Sequence, residues 1–178
     1  MYLDQNSFEK FLNKHEIEAI CAELGKKISQ DYAGKQIVLV CVLKGAIIFL
    51  ADLIRHIKVE NEVEFVRLSS YGKGRESTGT VTILKDISSD IRGKHVLIVE
   101  EIIDSGRTLR FLYDRLQSSG PASVEIVTLL DKATKRVTDV PVKYVGKLTQ
   151  DQFLVGYGLD LEEKARNIPD IYFLKYPN

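Results

Sequence analysis

Residues 96–109 read Val-Leu-Ile-Val-Glu-Glu-Ile-Ile-Asp-Ser-Gly-Arg-Thr-Leu, and this stretch narrows the possible folds more than any other. It opens with a mostly β-branched apolar run, the pattern of a strand covered on both faces. Two carboxylates follow, Glu100 and Glu101, then two apolar residues, then Asp104-Ser105-Gly106-Arg107-Thr108. There a helix begins, over residues 106–118, with Leu109, Leu112, Tyr113 and Leu116 on one face. A buried strand feeding an amphipathic helix is half of a strand–helix–strand unit, and such units build parallel sheets wrapped by helices. In open sheets of this kind, ligands bind beyond the carboxyl ends of the strands. A short loop carrying Gly106 and two hydroxyls at a helix start offers backbone N–H groups to a phosphate. Glu100 and Glu101, one step before it, suit sugar hydroxyls or the shell of a Mg²⁺ ion. Asp104 and Ser105 could instead merely cap the helix. Caps do not usually follow paired carboxylates at the end of a buried strand, so the reading as a binding site is preferred.

The rest of the chain alternates in the same way. Ile17, Ile20, Cys21, Leu24 and Ile28 recur at helical spacing over residues 15–32, and Ala33-Gly34 ends that helix. Residues 37–43 form a continuous apolar strand and residues 45–57 a helix. Residues 62–68 alternate polar and apolar, which predicts a strand with Val63, Phe65 and Leu68 pointing inward. Residues 69–79 are polar and glycine-rich, a length of loop that is usually functional or disordered. Strands are predicted at 80–85, 95–99 and 123–130, shorter ones at 144–145 and 153–157, and a last one at 171–174. The expected fold class is α/β, a mostly parallel sheet flanked by helices. A single domain over residues 1–178 is expected, with a small hood subdomain made from the two chain ends.

Composition excludes several classes. Lysine plus arginine and aspartate plus glutamate both count 25, and that balance counts against a coat for nucleic acid. The longest apolar run, residues 37–43, is far too short to span a bilayer. The start, with Asp4 and Glu9, lacks the basic and apolar regions of a signal peptide. Cys21 and Cys41 both fall in apolar segments and read as core residues rather than a disulfide. A cytoplasmic protein with neither nucleic-acid nor membrane partners is expected. The phosphate-loop pattern G-x-x-x-x-G-K-[ST] is absent, and Gly156-x-Gly158 lacks the third glycine and the helix of a dinucleotide fingerprint. His15, His56 and His95 are widely separated and have no cysteine partners for a zinc site.

Residues 96–108 closely resemble the phosphoribosyl-pyrophosphate (PRPP) signature of type I phosphoribosyltransferases. That signature is four apolar residues, two acids, two apolar residues, then Asp-Ser/Thr-Gly-x-Thr; alone it does not name the base. Four further segments resemble the hypoxanthine-guanine branch. Leu43-Lys44-Gly45 is similar to a pyrophosphate-binding turn whose Lys–Gly peptide can be cis. Ser69-Ser70-Tyr71-Gly72 with Ser77-Thr78-Gly79 is similar to a mobile lid, with Ser70 and Tyr71 in it, that keeps water from an oxocarbenium-like sugar. Leu129-Leu130-Asp131-Lys132 resembles the strand end whose lysine donates to the purine O6. An ammonium has donors and no acceptor, which favours a 6-oxo base over adenine. The fourth is Phe153-Leu-Val-Gly-Tyr-Gly-Leu-Asp160, followed by Arg166.

The resemblance implies the type I phosphoribosyltransferase fold and a Mg²⁺-dependent enzyme. It would transfer the 5-phosphoribosyl group from PRPP to hypoxanthine or guanine, giving IMP or GMP and pyrophosphate. The 5′-phosphate would sit among Asp104, Ser105, Gly106, Arg107 and Thr108, with the ribose hydroxyls near Glu100 and Glu101. Lys44, Gly45 and Arg166 would hold pyrophosphate, and Glu100, Glu101 and Asp160 the metal. Phe153 would stack on the purine, Leu154 would offer backbone atoms to its edge, and Ile102, Lys132 and Asp160 would complete the base site. Asp104 would be the acid–base group near purine N7. A homodimer or homotetramer is implied as well. The chain departs from the family at Glu100-Glu101, where Glu-Asp is more usual, and the extra methylene shifts metal or ribose geometry slightly. Two rivals are a PRPP-sensing regulator, which would not need Lys132, Phe153 and Asp160, and an enzyme that prefers xanthine.

Overall fold

Every residue from Ile37 to Val42 is buried, as a continuous apolar strand requires when both of its faces are covered. Alternation sends Ile37, Leu39 and Cys41 into one core and Val38, Val40 and Val42 into another. The computed structural model describes residues 7–70 and 81–175 and builds both cores around this strand. Its elements are β1 (Phe8–Leu12), α1 (Lys14–Asp31), β2 (Ile37–Leu43), α2 (Ala46–His56), β3 (Asn61–Ser70), β4 (Val81–Lys85), β5 (His95–Ile103), α3 (Arg107–Gln117), β6 (Ser123–Asp131), β7 (Tyr144–Leu148), β8 (Leu154–Val155) and β9 (Ile171–Leu174).

The larger sheet has the order β4-β3-β2-β5-β6-β7. All its pairings are parallel except that of β4, which lies antiparallel on the β3 edge. On one face, Ile17, Cys21, Leu24 and Ile28 of α1 and Phe49 and Leu53 of α2 cover the odd-numbered residues of β2. On the other, Leu109, Leu112 and Leu116 of α3 cover the even-numbered ones. Both cysteines are free and buried. A second, antiparallel sheet, β1-β9-β8, forms the hood from the two chain ends, over a small cluster of Val155, Ala165, Ile168 and Tyr172. Among the described residues, no helix is long and apolar enough to cross a membrane.

Three details differ from the sequence-based expectation. Val63 is 37% exposed, and the inward residue of β3 is Val66, in register with Val42 of β2. Val63 shares a face with Phe65, but so near the sheet edge that face is only partly covered. β1 was not expected at all; four of its five residues find partners in β9, with a shift of register at Phe11. β5 runs on to Ile103, so Glu100 and Glu101 stand within the strand rather than after it. The lid expectation falls largely on residues 71–80, Tyr71 included, which lie outside the described residues; Ser70 ends β3.

Candidate active site

The carboxyl ends of β2, β5 and β6 meet at one edge of the sheet, because these three strands are parallel neighbours. β5 delivers the Asp104–Thr108 loop. Gly106 is the N-cap of α3, and no side chain donates or accepts a capping hydrogen bond there. Ser105 Oγ accepts a long hydrogen bond from Arg107 N at 3.5 Å, but from the position before the N-cap. Neither Asp104 nor Ser105 stands at the cap position itself. Gly106 has φ +79°, and a Cβ on it would lie 2.7 Å from Thr138 O, so backbone angle and space both demand glycine. The N–H groups of Val137 and Thr138 donate to Ser105 O at 3.1 and 3.2 Å, which props the loop from behind. A cavity of about 140 Å³ results, lined by Glu100, Ile102, Asp104, Ser105, Gly106 and Thr108 among others. Arg107 is exposed and does not line it.

Beside this cup stand the two glutamates. Glu100 accepts a hydrogen bond from Glu101 N at 3.1 Å. Burial, reinforced by the neighbouring Glu101 carboxylate, pushes the Glu100 carboxyl well above the usual range. Glu101 Oε2 is buried without a hydrogen-bond partner. Its carboxylate occupies the space a Cβ on Gly45 would need, so a larger residue there would have to displace Glu101. Adjacent half-buried carboxylates with an unpartnered oxygen suit a divalent cation, whose charge would relieve both costs. Asp160 is not with them. Among the described residues no three metal-ligating side chains cluster. Asp160 is drawn away because it pairs with Arg166 at 3.0 Å and accepts from Glu163 N at 2.9 Å. Two carboxylates without Asp160 are a set that would suit Mg²⁺ completed by water and phosphate oxygens.

The turn after β2 faces the loop at 158–166. The cis peptide lies between Leu43 and Lys44, one bond earlier than the Lys44–Gly45 peptide expected; Gly45 already has helical angles (φ −64°, ψ −40°) as the N-cap of α2. Gly158, at φ +95°, abuts Gly45 O so closely that no Cβ fits. Lys44 Nζ pairs with Glu163 at 2.6 Å, and Arg166 donates to Gly158 O at 2.7 Å. Lys44, with Arg166 after it, holds the Glu163 carboxyl below its usual range.

A second cavity of about 520 Å³ opens on the other side of Asp104, lined by Lys132, Lys135, Asp151, Phe153, Phe173 and Leu174 among others. Phe153 is 46% exposed, whereas Lys132 is buried at the end of β6 with its N–H on Ile103 O. Leu154 is buried in β8, in register with Phe173. Ile102 lines the smaller cavity, not this one. Asp104 borders both. The sequence reading did not single out Lys135, Asp151 or Glu163. Each enters through an ion pair with a distant or unmarked residue, and no motif spacing marks it.

A glycine-turned loop with a cavity at a strand end, a glutamate pair beside it and a second cavity across one aspartate fit the architecture of a phosphoribosyltransferase. The chain belongs to that family, whose phosphoribosyl transferase domain profile matches residues 7–162. It is similar to the hypoxanthine-guanine phosphoribosyltransferase of Staphylococcus aureus, with 48% identity over 94% of this chain and 93% of that protein. The enzyme of the same name from Staphylococcus epidermidis is 47% identical over 92% of each chain. A crystal structure of a hypoxanthine phosphoribosyltransferase from Staphylococcus aureus superposes with a TM-score of 0.91 at 47% identity, covering 96% of this chain and 94% of that one. The fold is that of the type I phosphoribosyltransferases.

Proposed function

We propose that this chain transfers the 5-phosphoribosyl group from PRPP to hypoxanthine or guanine, yielding IMP or GMP and pyrophosphate. The observation that carries the reading is that Asp104 borders both the phosphate cup and the larger cavity, which puts one carboxylate between sugar and base. In this reading the 5′-phosphate takes the N–H groups of the Asp104–Thr108 loop, and the ribose lies beside Glu100 and Glu101. Lys44, the Gly45 backbone and Arg166 face the pyrophosphate, with Asp160 holding Arg166 in place. Glu100 and Glu101 would hold Mg²⁺, which offsets negative charge on the pyrophosphate. The C1′–pyrophosphate bond lengthens, the sugar becomes cationic, and purine N9 attacks C1′. Phe153 offers a face for the purine to stack on, Leu154 offers backbone to its edge and Lys132 donates to O6. Ile102 approaches the base from the cup side. Asp104, near N7, takes the N7 proton as N9 bonds to C1′ and later passes it to water, a role commonly worth about 10²–10⁴-fold in rate.

The whole chain acts as one phosphoribosyltransferase domain in the cytoplasm, as a homodimer or homotetramer, and serves purine salvage. A PRPP-sensing regulator is the second reading. It has no use for Lys132 and Phe153 beside Asp104, and those two residues favour the enzyme. The test is product formation with PRPP and Mg²⁺, offering hypoxanthine, guanine, xanthine and adenine separately. Conversion of the first two is expected. PRPP binding without reaction of any base would establish the regulator, and xanthine as the best substrate would revise the base.

A further inference from the structure

Four charges meet at the inner wall of the larger cavity. Lys135 Nζ lies 2.8 Å from Asp151 Oδ1 and 3.4 Å from Asp104 Oδ2. Lys132 Nζ faces the same two oxygens but stays 3.6 Å from Asp151 and 3.7 Å from Asp104. The buried lysine is thus the one without a close ion pair, and the 43% exposed lysine holds the carboxylate. Charged hydrogen bonds close to about 2.7–2.9 Å when nothing competes. Both lysines compete for a single oxygen of Asp151, and Lys135 has it. The hydrogen bond to Asp151 holds the Lys135 ammonium above its usual range, in keeping with a firm pair.

We infer that Lys135 is a specificity-positioning residue for this site. By engaging Asp151, it prevents Lys132 from collapsing into an ion pair and keeps the Lys132 donors directed at an acceptor on the base. The inference rests on the reading above that Lys132 meets the purine 6-oxo group. It goes beyond that reading, because it makes an exposed lysine outside every recognised segment responsible for how strongly a 6-oxo purine is bound. Without Lys135, Asp151 would have Lys132 as its nearest cation, and a donor spent on the protein is lost to the substrate.

The test is a kinetic comparison of K132A, K135M, K135R and the double variant K135M/D151N, with hypoxanthine and PRPP varied in turn. K132A serves as the reference and raises the KM for hypoxanthine while that for PRPP stays put. K135M is expected to raise the hypoxanthine KM roughly ten-fold, the size of one charged hydrogen bond lost. K135R restores it, because a cation again occupies Asp151. K135M/D151N restores it too, because the competitor for Lys132 is gone, an outcome that a role in general stability would not produce. If K132A raises the hypoxanthine KM but K135M does not, the inference falls and the O6 contact stands. If K132A leaves it unchanged, the contact itself is wrong and the inference falls with it. A K135M defect that the double variant fails to relieve also overturns the inference.

Discussion

Asp104 has one buried oxygen without a hydrogen-bond partner, while its other oxygen faces Lys132 and Lys135 at 3.7 and 3.4 Å. A free acceptor between two cavities is what a proton carrier at N7 requires. Asp104→Asn keeps the shape and loses the basicity. It should lower kcat by about 10²–10⁴-fold with little change in PRPP affinity, read by steady-state kinetics beside PRPP titration. Unchanged turnover would remove Asp104 from the role. Gly106→Ala forces a Cβ against Thr138 O at φ +79°. It should cost about 1–3 kcal/mol in urea unfolding and raise the KM for PRPP more than that for the base. The residues that form the cup were legible because they are contiguous: chain order alone puts Asp104, Ser105, Gly106 and Thr108 together. Lys135 and Asp151 were not, because only the fold brings them to 2.8 Å.

At the scale of elements, the 132–140 connection supports the cup. Its anchor is Arg136, which pairs with Asp131 at 2.6 Å and donates to Val140 O at 3.3 Å. Asp131 is only 3% exposed, so its charge has almost no recourse to water. Arg136→Met should lower stability by about 3 kcal/mol, measured by urea unfolding. It should also raise the KM for PRPP, because Val137 and Thr138 would cease to prop Ser105. An effect on the base alone would contradict the link. β2 and β9 were read from the sequence with their observed bounds, since a continuous apolar run has few alternatives. The extension of β5 was missed because glutamates do not advertise a strand. They remain in it because Glu100 and Ile102 pair with Thr128 and Leu130 of β6. β1 was missed because neither its composition nor its length specifies a strand until β9 is present.

For the whole molecule, Asp170 fastens the hood. Lys10 of β1 pairs with it at 2.7 Å, and the Lys14 N–H of α1 donates to it at 2.8 Å. The Lys10 hydrogen bond holds the Asp170 carboxyl below its usual range. A carboxyl with a lowered folded-state pKa stabilises above the unfolded value, near 4, and loses that contribution as pH falls through the folded value. Lys10→Ala should therefore lower Tm near neutral pH, and its deficit against the parent should shrink as pH drops below about 4. A deficit that is constant with pH would place the effect elsewhere.

The hood also orders events in time. Chains are made from the N-terminus, at about 5–20 residues per second, and β1 waits unpaired until β9 has left the ribosome. A nascent chain released only as far as Leu148 already contains the whole larger sheet and its phosphate cup. It still lacks Phe153, Phe173 and Leu174, the wall of the larger cavity. During synthesis the cavity beside Asp104–Thr108 thus has its lining in place before the second cavity, whose far wall waits for the segments that carry Phe153, Phe173 and Leu174.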